Sequence, residues 1–304
     1  MVTMDVSSLY TNIDNDEGID AMVNNTSLKS RYSDSLLSFI KTLMHLILSL
    51  NNFIFNGTNY HQVKGTAMGT RAAPNYANIY MGWFEEKHIY SSRWKQNISF
   101  YCRYIDDIFL IWDSSLQELE DFMKYINNVH PSIKFTHEKS KEKINFLDIL
   151  VMKDKDGVIS TDVYQKPTDT HNYLQFDSSH PKHCIRSIPY SQFTRLKKII
   201  SEPETLKRWI SEFTEYFVNS EYPRSFLRRV ANDVLGQRKD ANKQPKQNTE
   251  TTKVLTTFNE RLPNLNNLIE KHWSITQTNE KCRRVLKSPP RWFTQELRIY
   301  QTYL

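Results

Sequence analysis

Glycine, proline and cysteine are scarce in this chain of 304 residues, and their scarcity excludes several classes of protein. The 7 glycines and 11 prolines are too few for a collagen-like or linker-like chain. The 3 cysteines, Cys102, Cys184 and Cys282, lie far apart and form no Cys-x-x-Cys pair. A disulfide framework or a zinc ribbon is therefore not expected, and a reducing compartment is favoured.

Long hydrophobic runs are missing as well. The most apolar run, Leu36 to Leu50, has 15 residues and contains Lys41 and His45, so it is too short and too polar to span a bilayer. The N-terminal residues do not show the basic and then apolar segments of a signal peptide. We therefore expect an intracellular protein, in the nucleus or the cytoplasm, with no membrane partner.

Charge is distributed unevenly along the chain, whose formal net charge is +6. Residues 1–181 hold 17 Lys and Arg against 22 Asp and Glu, a net of −5. Residues 182–304 hold 23 against 12, a net of +11. Such a division is expected when one part grips a polyanion and the other holds metal-binding carboxylates. On charge alone, a basic helical face that is merely solvated is the favoured interpretation.

Strand and helix patterns alternate up to about residue 165. The spacing predicts a first strand at Met1–Val6, a helix capped by Asp34 or Ser33, and a hairpin that turns at Asn56-Gly57. Further predicted elements are a helix after Pro74, strands at 98–105 and 108–112 on either side of an Asp106-Asp107 turn, a helix at 116–129, and strands at 133–136, 144–152 and 158–164.

Helical patterns alone follow the last of these strands, at 190–201, 203–219 and 222–235. We therefore predict an α+β fold with a domain at 1–165, a helical region at 166–235, a polar linker at 236–252 and a C-terminal connector at 253–304.

Three aspartates carry the first chemical signal. Asp5 ends a strand that is expected to be buried, and Asp106 and Asp107 are adjacent at a predicted hairpin turn. Adjacent carboxylates repel each other, and a divalent cation that prefers oxygen ligands, Mg²⁺ or Mn²⁺, offsets that repulsion. Together the three would form a two-metal site for phosphoryl transfer. Taken one at a time, each aspartate is more simply explained as a solvated turn or strand-end residue.

A segment with two glycines carries the second signal. Gly65 and Gly69 precede the helix predicted after Pro74. Such a loop often only caps the helix that follows, and it is not a Walker phosphate loop because the Gly-Lys-Ser/Thr ending is missing. What favours a functional interpretation is the order of Asp-x-x-x-x-Tyr, glycine loop with helix, and aromatic-x-Asp-Asp hairpin.

These motifs resemble a reverse transcriptase, and closely the reverse transcriptases of Penelope-like retroelements. The matching stretches are Asp5–Ile13, Gly65–Thr70 continuing through Pro74–Met81, Arg103–Phe109 and Asn145–Asp148, with Tyr164–Asp169, Ser179–Pro181 and Lys271–Trp273 downstream. The resemblance implies a right-hand polymerase palm with an antiparallel sheet at 1–165, followed by a helical thumb and a connector. It implies an RNA-directed DNA polymerase of a retroelement, a nucleotidyltransferase whose partners are an RNA template, a DNA primer and dNTPs.

The resemblance also assigns site residues. Asp5, Asp106 and Asp107 would be the catalytic carboxylates and, with the backbone carbonyl of Val6, the ligands of two Mg²⁺ ions, with Mn²⁺ as the alternative. Tyr10 would lie under the sugar of the incoming nucleotide and select deoxyribonucleotides, although a core tyrosine is the plainer interpretation. The other expected contacts are Gly65, Met68, Gly69 and Pro74 for the nucleotide and template, and Phe146, Leu147, Lys166 and Arg195 for the primer and template.

Two more groups of residues are weaker candidates. Lys134 and the cluster Lys139, Lys141 and Lys143 could touch the triphosphate or the primer, but a solvated loop is the favoured interpretation of the cluster. His180, His183 and Cys184 have a spacing that suggests metal, but no second pair of ligands accompanies them. For Phe146 and Leu147, which were given above as primer and template contacts, a buried strand is an equally good explanation.

The sequence also departs from the family pattern. Family members carry a fingers region before the first aspartate, whereas only four residues precede Asp5, and no GIY-YIG endonuclease motif follows the polymerase motifs. We therefore expect a palm-plus-thumb fragment, truncated at both ends, that extends a primer poorly on its own. The alternative is a relic of such an element that binds nucleic acid without catalysis.

Overall fold

A computed structural model describes residues 1–25, 29–236, 253–257, 267, 270–274, 278 and 291–295. The chain divides into two compact units, Met1–Tyr164 and Gln165–Leu304, and each is described by itself. No helix among the described residues is long and apolar enough to cross a membrane.

A four-stranded antiparallel sheet forms the centre of the first unit. Its strands are β1 (Val2–Val6), β4 (Ile98–Tyr104), β5 (Asp107–Trp112) and β6 (Phe135–Lys139), in the order β4-β5-β1-β6. Side chains alternate along β1: Val2, Met4 and Val6 are buried, whereas Asp5 is exposed on the opposite face. One face of the sheet thus belongs to the core, and the other carries the polar end of β1.

Helices cover the core face. They are α1 (Leu9–Asn12), α2 (Asn15–Val23), α3 (Asp34–Ser49), α4 (Ala73–Glu85) and α5 (Leu116–Asn128). The predicted faces of two of them are confirmed. Tyr76, Tyr80 and Phe84 of α4 are buried at four-residue spacing, and α5 buries Leu119, Phe122, Met123 and Ile126. The expected mixture of helices and antiparallel strands is confirmed.

Side-chain caps explain where several of these helices begin. Ser33 accepts a hydrogen bond from the Leu36 amide at the start of α3, so of the two predicted caps, Ser33 and Asp34, it is Ser33 that caps the helix. Helices α1 and α2 were not predicted, although Asp14 gave a usable signal. Its carboxylate accepts hydrogen bonds from the amides of Asp16 and Glu17, so it is the N-cap of α2.

The Asn-Gly hairpin is confirmed, whereas two other turns differ from the prediction. Strands β2 (Asn52–Phe55) and β3 (Thr58–His61) pair around Asn56 and Gly57, which both have positive φ. The turn between β4 and β5 consists of Ile105 and Asp106, not of Asp106 and Asp107, because Asp107 already pairs with Tyr104 in the ladder.

The second difference lies at 144–152, which is two strands and not one. β7 (Lys143–Phe146) and β8 (Ile149–Lys153) pair antiparallel on either side of a turn at Leu147, whose φ is 55°. With β9 (Ile159–Val163) they form a separate sheet in the order β7-β8-β9. The apolar run hid this turn, because Leu147 is not a residue that sequence rules associate with a positive φ.

Three helices make up the described core of the second unit: α6 (Lys182–Ile199), α7 (Pro203–Asn219) and α8 (Arg224–Gly236). Phe193 of α6 packs edge to face on Phe217 of α7 at 5.9 Å between ring centroids. Helix α6 begins eight residues before the prediction and contains Pro189, which would be expected to end a helix but here is buried within it.

The C-terminal part of the second unit is described only in places. Strands β10 (Lys253–Thr257) and β11 (Arg291–Gln295) form a parallel pair. Apart from Gly236, the predicted polar linker at 236–252 lies outside the described residues, and so does most of the predicted connector at 253–304.

Candidate active site

The pairing of β1 with β5 brings two of the predicted aspartates together. Asp5 lies directly opposite Asp107 in the antiparallel ladder. Residues in such a position point to the same side of the sheet, with their Cβ atoms about 4.5–5.5 Å apart. Asp106 lies in the adjoining turn, where its carbonyl accepts a hydrogen bond from the Val6 amide at 3.2 Å.

The electrostatics at Asp5 and Tyr10 report the charge of Asp106. Partial burial, and then the charge of Asp106, raise the pKa of Asp5 above its usual range. Burial also raises the pKa of Tyr10, and Asp106 and Tyr104 raise it further. Asp106 is therefore close enough to Asp5 and to Tyr10 to influence the ionisation of both.

A cleft of about 300 Å³ opens beside the aspartates. Asp5 and Asp107 line one side of it, and Phe146 and Leu147 at the end of β7 line another. The Phe146 ring packs on Phe109 of β5 at 5.7 Å, while Leu147 is exposed at the turn. The plain interpretation of this segment as a buried strand therefore fits Phe146 only in part and does not fit Leu147.

The donor chemistry of this edge suits a divalent cation, because carboxylate oxygens are the ligands that Mg²⁺ and Mn²⁺ prefer. The repulsion that Asp106 exerts on Asp5 is the kind that a bound cation relieves. In the described part of the chain, however, no three His, Cys, Asp or Glu side chains are grouped so that they could hold an ion. The complete ligand set, including the Val6 carbonyl, stays a prediction.

The glycine loop is attached to the backbone that follows Asp5. The Thr66 amide donates to the Tyr10 carbonyl at 2.8 Å, and the Gly65 amide donates to Asn15 Oδ1 at 2.9 Å. Gly65 has a φ of +72°, and a Cβ there would lie 2.4 Å from the Tyr10 carbonyl oxygen. At Gly65 the missing side chain therefore allows a close approach to the chain's own backbone.

The rest of the loop is open. Gly69 has a φ of +94° and nothing within 4 Å of an added Cβ, and Met68 is 75% exposed. Pro74 lies in the first turn of α4, a place where a missing amide leaves no hydrogen bond unmade. The predicted contacts of Met68, Gly69 and Pro74 with nucleotide or template remain predictions, and their exposure is compatible with them.

A buried ion pair behind the turn was not predicted. Arg103 of β4 donates through Nε and Nη2 to the two carboxylate oxygens of Glu85 at the end of α4, and both side chains are almost fully buried. Arg103 Nη1 also donates to the carbonyl of Ile105 at 2.9 Å. The sequence offered one signal for this, since Asn78 and Glu85 are polar and lie two turns apart on α4.

Several predicted residues have other surroundings. Lys166 and Arg195 belong to the second unit, where Lys166 is exposed in a loop and Arg195 lies on α6. Lys134 in the first unit donates to the carbonyls of Asn127 and His130 at the end of α5, which is a capping role. Cys184 contacts the ring of its neighbour His183 at 3.4 Å.

Comparison with known families gives the class of protein. A family model described as reverse transcriptase (RNA-dependent DNA polymerase) matches residues 1–176, more than half of the chain. The chain therefore belongs to the reverse transcriptase family. A second model, the animal helix-turn-helix domain, matches residues 172–232, the region of α6 to α8. Among curated proteins, none matches the chain.

Solved polymerase structures resemble the fold only distantly. The telomerase from Candida albicans in complex with the TWJ fragment of telomeric RNA has 12% identity over 77% of this chain and 44% of its own, with a TM-score of 0.46. The apo telomerase from Candida tropicalis has 10% identity over 77% and 40%, with a TM-score of 0.42. The Sicinivirus 3Dpol RNA-dependent RNA polymerase has 12% identity over 77% and 51%, with a TM-score of 0.43. The chain thus spans about half or less of the length of each.

We predict that Gly65→Ala destabilises the first unit, because the new Cβ clashes with the Tyr10 carbonyl and the left-handed φ becomes strained. Gly69→Ala is the matched control, since it adds the same strain without a clash. The free energy of unfolding, measured by chemical denaturation, should fall by at least about 1 kcal/mol more for Gly65→Ala than for Gly69→Ala. Equal losses would show that the close approach is unimportant.

We also predict that, without divalent cations, Asp106→Asn raises the melting temperature at pH 7 by about 1–3 °C. The folded-state pKa of Asp5 is raised, so the folded protein holds this proton more tightly than the unfolded chain, and its stability falls as pH rises through that pKa. The gain should vanish at low pH, where the Asp5 carboxyl is protonated in both states. Asp113→Asn, just past the other end of β5, is the control; a lower melting temperature for Asp106→Asn at pH 7 would contradict the prediction.

Proposed function

We propose that the chain is the RNA-directed DNA polymerase domain of a Penelope-like retroelement and transfers nucleotides to a primer 3′-hydroxyl with two divalent metal ions. The observation that carries this proposal is the pairing of Asp5 with Asp107 beside Asp106. The motif order supports the family, and the stretches around Asp5, Gly65, Arg103 and Asn145 support the Penelope-like subtype. The whole activity, the substrates and the partners belong to the proposal.

In this mechanism the carboxylates of Asp5, Asp106 and Asp107 and the Val6 carbonyl would hold Mg²⁺ or Mn²⁺. When bound, the two ions would activate the attacking hydroxyl and neutralise charge on the leaving pyrophosphate. The protein's share is to hold the carboxylates in place, because phosphoryl transfer depends mostly on positioning and electrostatics. The rigid ladder between β1 and β5 supplies that placement for two of the three.

Tyr10 is proposed to select deoxyribonucleotides. Burial, and then the charges of Asp106 and Tyr104, raise its pKa, which supports a position beside the carboxylates. Its backbone carbonyl is held by Thr66 from the glycine loop. A ring fixed in this way would clash with a 2′-hydroxyl. When nucleotide incorporation on a primed RNA template is measured, Tyr10→Val should accept ribonucleotides more readily than the unsubstituted chain. Unchanged sugar selectivity would refute this role.

The second unit is proposed to hold the template and primer through their phosphates. Residues 182–304 carry a net charge of +11, and Arg228 and Arg229 of α8 are both exposed. The similarity of residues 172–232 to a helix-turn-helix domain supports a nucleic-acid role for these helices. Lys166 and Arg195 are the proposed contacts at the beginning of this region.

The metal site is tested first by measuring the affinity for Mn²⁺, with electron paramagnetic resonance as the method of detection. We expect Asp106→Asn to weaken Mn²⁺ binding by about 10-fold or more, because a ligand is lost. Asp113→Asn, an exposed aspartate outside the site, should bind Mn²⁺ like the unsubstituted chain. Equal affinities in Asp106→Asn and the unsubstituted chain would reject the site.

Catalysis is tested by single-nucleotide incorporation on a primed RNA template, with protein in excess so that slow turnover is detected. We expect slow incorporation that depends on the template and on Mg²⁺ or Mn²⁺. It should be absent from the Asp106→Asn/Asp107→Asn double variant. Incorporation no greater than that of the double variant would refute the proposed polymerase activity.

Duplex binding should weaken steeply with salt, with a slope in log K against log [salt] of about −0.9 for each phosphate neutralised. The double variant Arg228→Ala/Arg229→Ala should reduce the magnitude of that slope by about 1–2, because two phosphate contacts are lost. Lys124→Ala, an exposed lysine of the acidic half, is the control that should leave the slope unchanged. A slope that is the same in the double variant would rule out this surface.

A further inference from the structure

We infer that Arg103 is a positioning residue for the proposed metal site: its guanidinium ties the turn that carries Asp106 to helix α4. This inference rests on the proposed function, because it assumes that Asp106 holds a metal ion. Arg103 is proposed to act by orienting the turn of Asp106 and not by contacting substrate.

The Arg103 guanidinium uses all five of its N–H donors. Nε and Nη2 each donate to a carboxylate oxygen of Glu85. Nη1 donates to Asn78 Oδ1 and to the Ile105 carbonyl, both at 2.9 Å, and Nη2 also donates to the Asn78 carbonyl at 3.4 Å. Five donors in a planar fork are a property of arginine alone, since lysine has three.

The backbone that Arg103 holds is strained. Ile105 has a φ of +58°, in the left-handed region, where a β-branched residue is a genuine outlier. Such a conformation persists only when the surroundings enforce it. The Arg103 contact with the Ile105 carbonyl is one such enforcement, and Asp106 is the next residue. If Ile105 relaxed to a negative φ, the direction of the Asp106 backbone would change with it.

The other end of the network is anchored in the core. The Glu85 side chain is only 9% exposed, and Tyr101 of β4 donates to it at 2.7 Å, so its carboxylate is held from two sides. Glu85 and Asn78 lie two turns apart on α4, and the glycine loop leads directly into that helix. Arg103 therefore couples the turn of Asp106 to the same helix that the glycine loop precedes.

The test compares Mn²⁺ affinity, nucleotide incorporation, melting temperature and duplex binding in single variants. Arg103→Lys keeps the charge but loses the fork. We expect its Mn²⁺ affinity and its incorporation rate at saturating dNTP to fall about 10- to 100-fold, with KM for dNTP within about 2-fold. Arg93→Lys is the matched control, an arginine that is 68% exposed and pairs with Glu118; it should behave like the unsubstituted chain.

A rescue separates positioning from a general loss of structure. Glycine adopts a positive φ without strain, so Ile105→Gly placed in the Arg103→Lys background should restore Mn²⁺ affinity by about 3-fold or more. A purely structural role for Arg103 predicts no rescue, because Ile105→Gly removes packing. Should Arg103→Lys fail to fold, Asn78→Ala, at an exposed position, removes one contact and should lower Mn²⁺ affinity in the same direction.

The outcomes distinguish this inference from the function on which it rests. If Asp106→Asn binds Mn²⁺ as tightly as the unsubstituted chain, the metal site itself is wrong. If Asp106→Asn is weakened while Arg103→Lys binds with unchanged affinity, the metal site stands and the role of Arg103 is refuted. A loss of affinity in Arg103→Lys without rescue by Ile105→Gly also refutes positioning.

Discussion

The antiparallel pairing of β1 with β5 is the constraint on which the proposed active site depends. It sets Asp5 directly opposite Asp107 and leaves Asp106 in the turn beside them. Burial, and then the charge of Asp106, raise the pKa of Asp5, so the ladder must hold Asp5 against both effects. It does so because Val2, Met4 and Val6, on the other side of the same strand, are anchored in the core.

Two sets of contacts connect the helices with the region of the aspartates. One is the glycine loop, whose Thr66 amide is bonded to the Tyr10 carbonyl and whose Gly65 fits against the backbone of Tyr10 and Thr11. The other is the ion pair of Arg103 with Glu85, which connects α4 with the turn of Asp106. Buried charge pairs cost desolvation and are weak evidence for stability. The contribution that we propose for the Arg103–Glu85 pair is to position the turn of Asp106.

Several large apolar side chains of α3 and of the β2–β3 hairpin are exposed. Phe39 and Leu46 of α3 are 59% and 49% exposed, and Ile54 and Phe55 of the β2–β3 hairpin are 72% and 68% exposed. Exposed apolar residues commonly mark surfaces that contact something else only where they form a contiguous patch. The carboxylates lie on the four-stranded sheet, whereas these apolar residues lie on α3 and the hairpin. Substitutions of the carboxylates can therefore be interpreted separately from substitutions of the apolar residues.

The sequence by itself determined several of the elements and the family. The periodicity of α4 and α5, the Ser33 cap and the Asn56-Gly57 turn follow from local rules, and the order of motifs around Asp5, Gly65 and Asp106 pointed to the family. Local rules work here because cap, turn and amphipathic signals act within a few residues. Only the tertiary structure decided that Asp107 begins β5, that Gly65 rests on the Tyr10 backbone, and that Arg103 and Glu85 hold the turn. Most of these contacts join segments far apart in the chain. The positive φ of Ile105, which a β-branched residue disfavours, is supported by the hydrogen bond of Arg103 to its carbonyl.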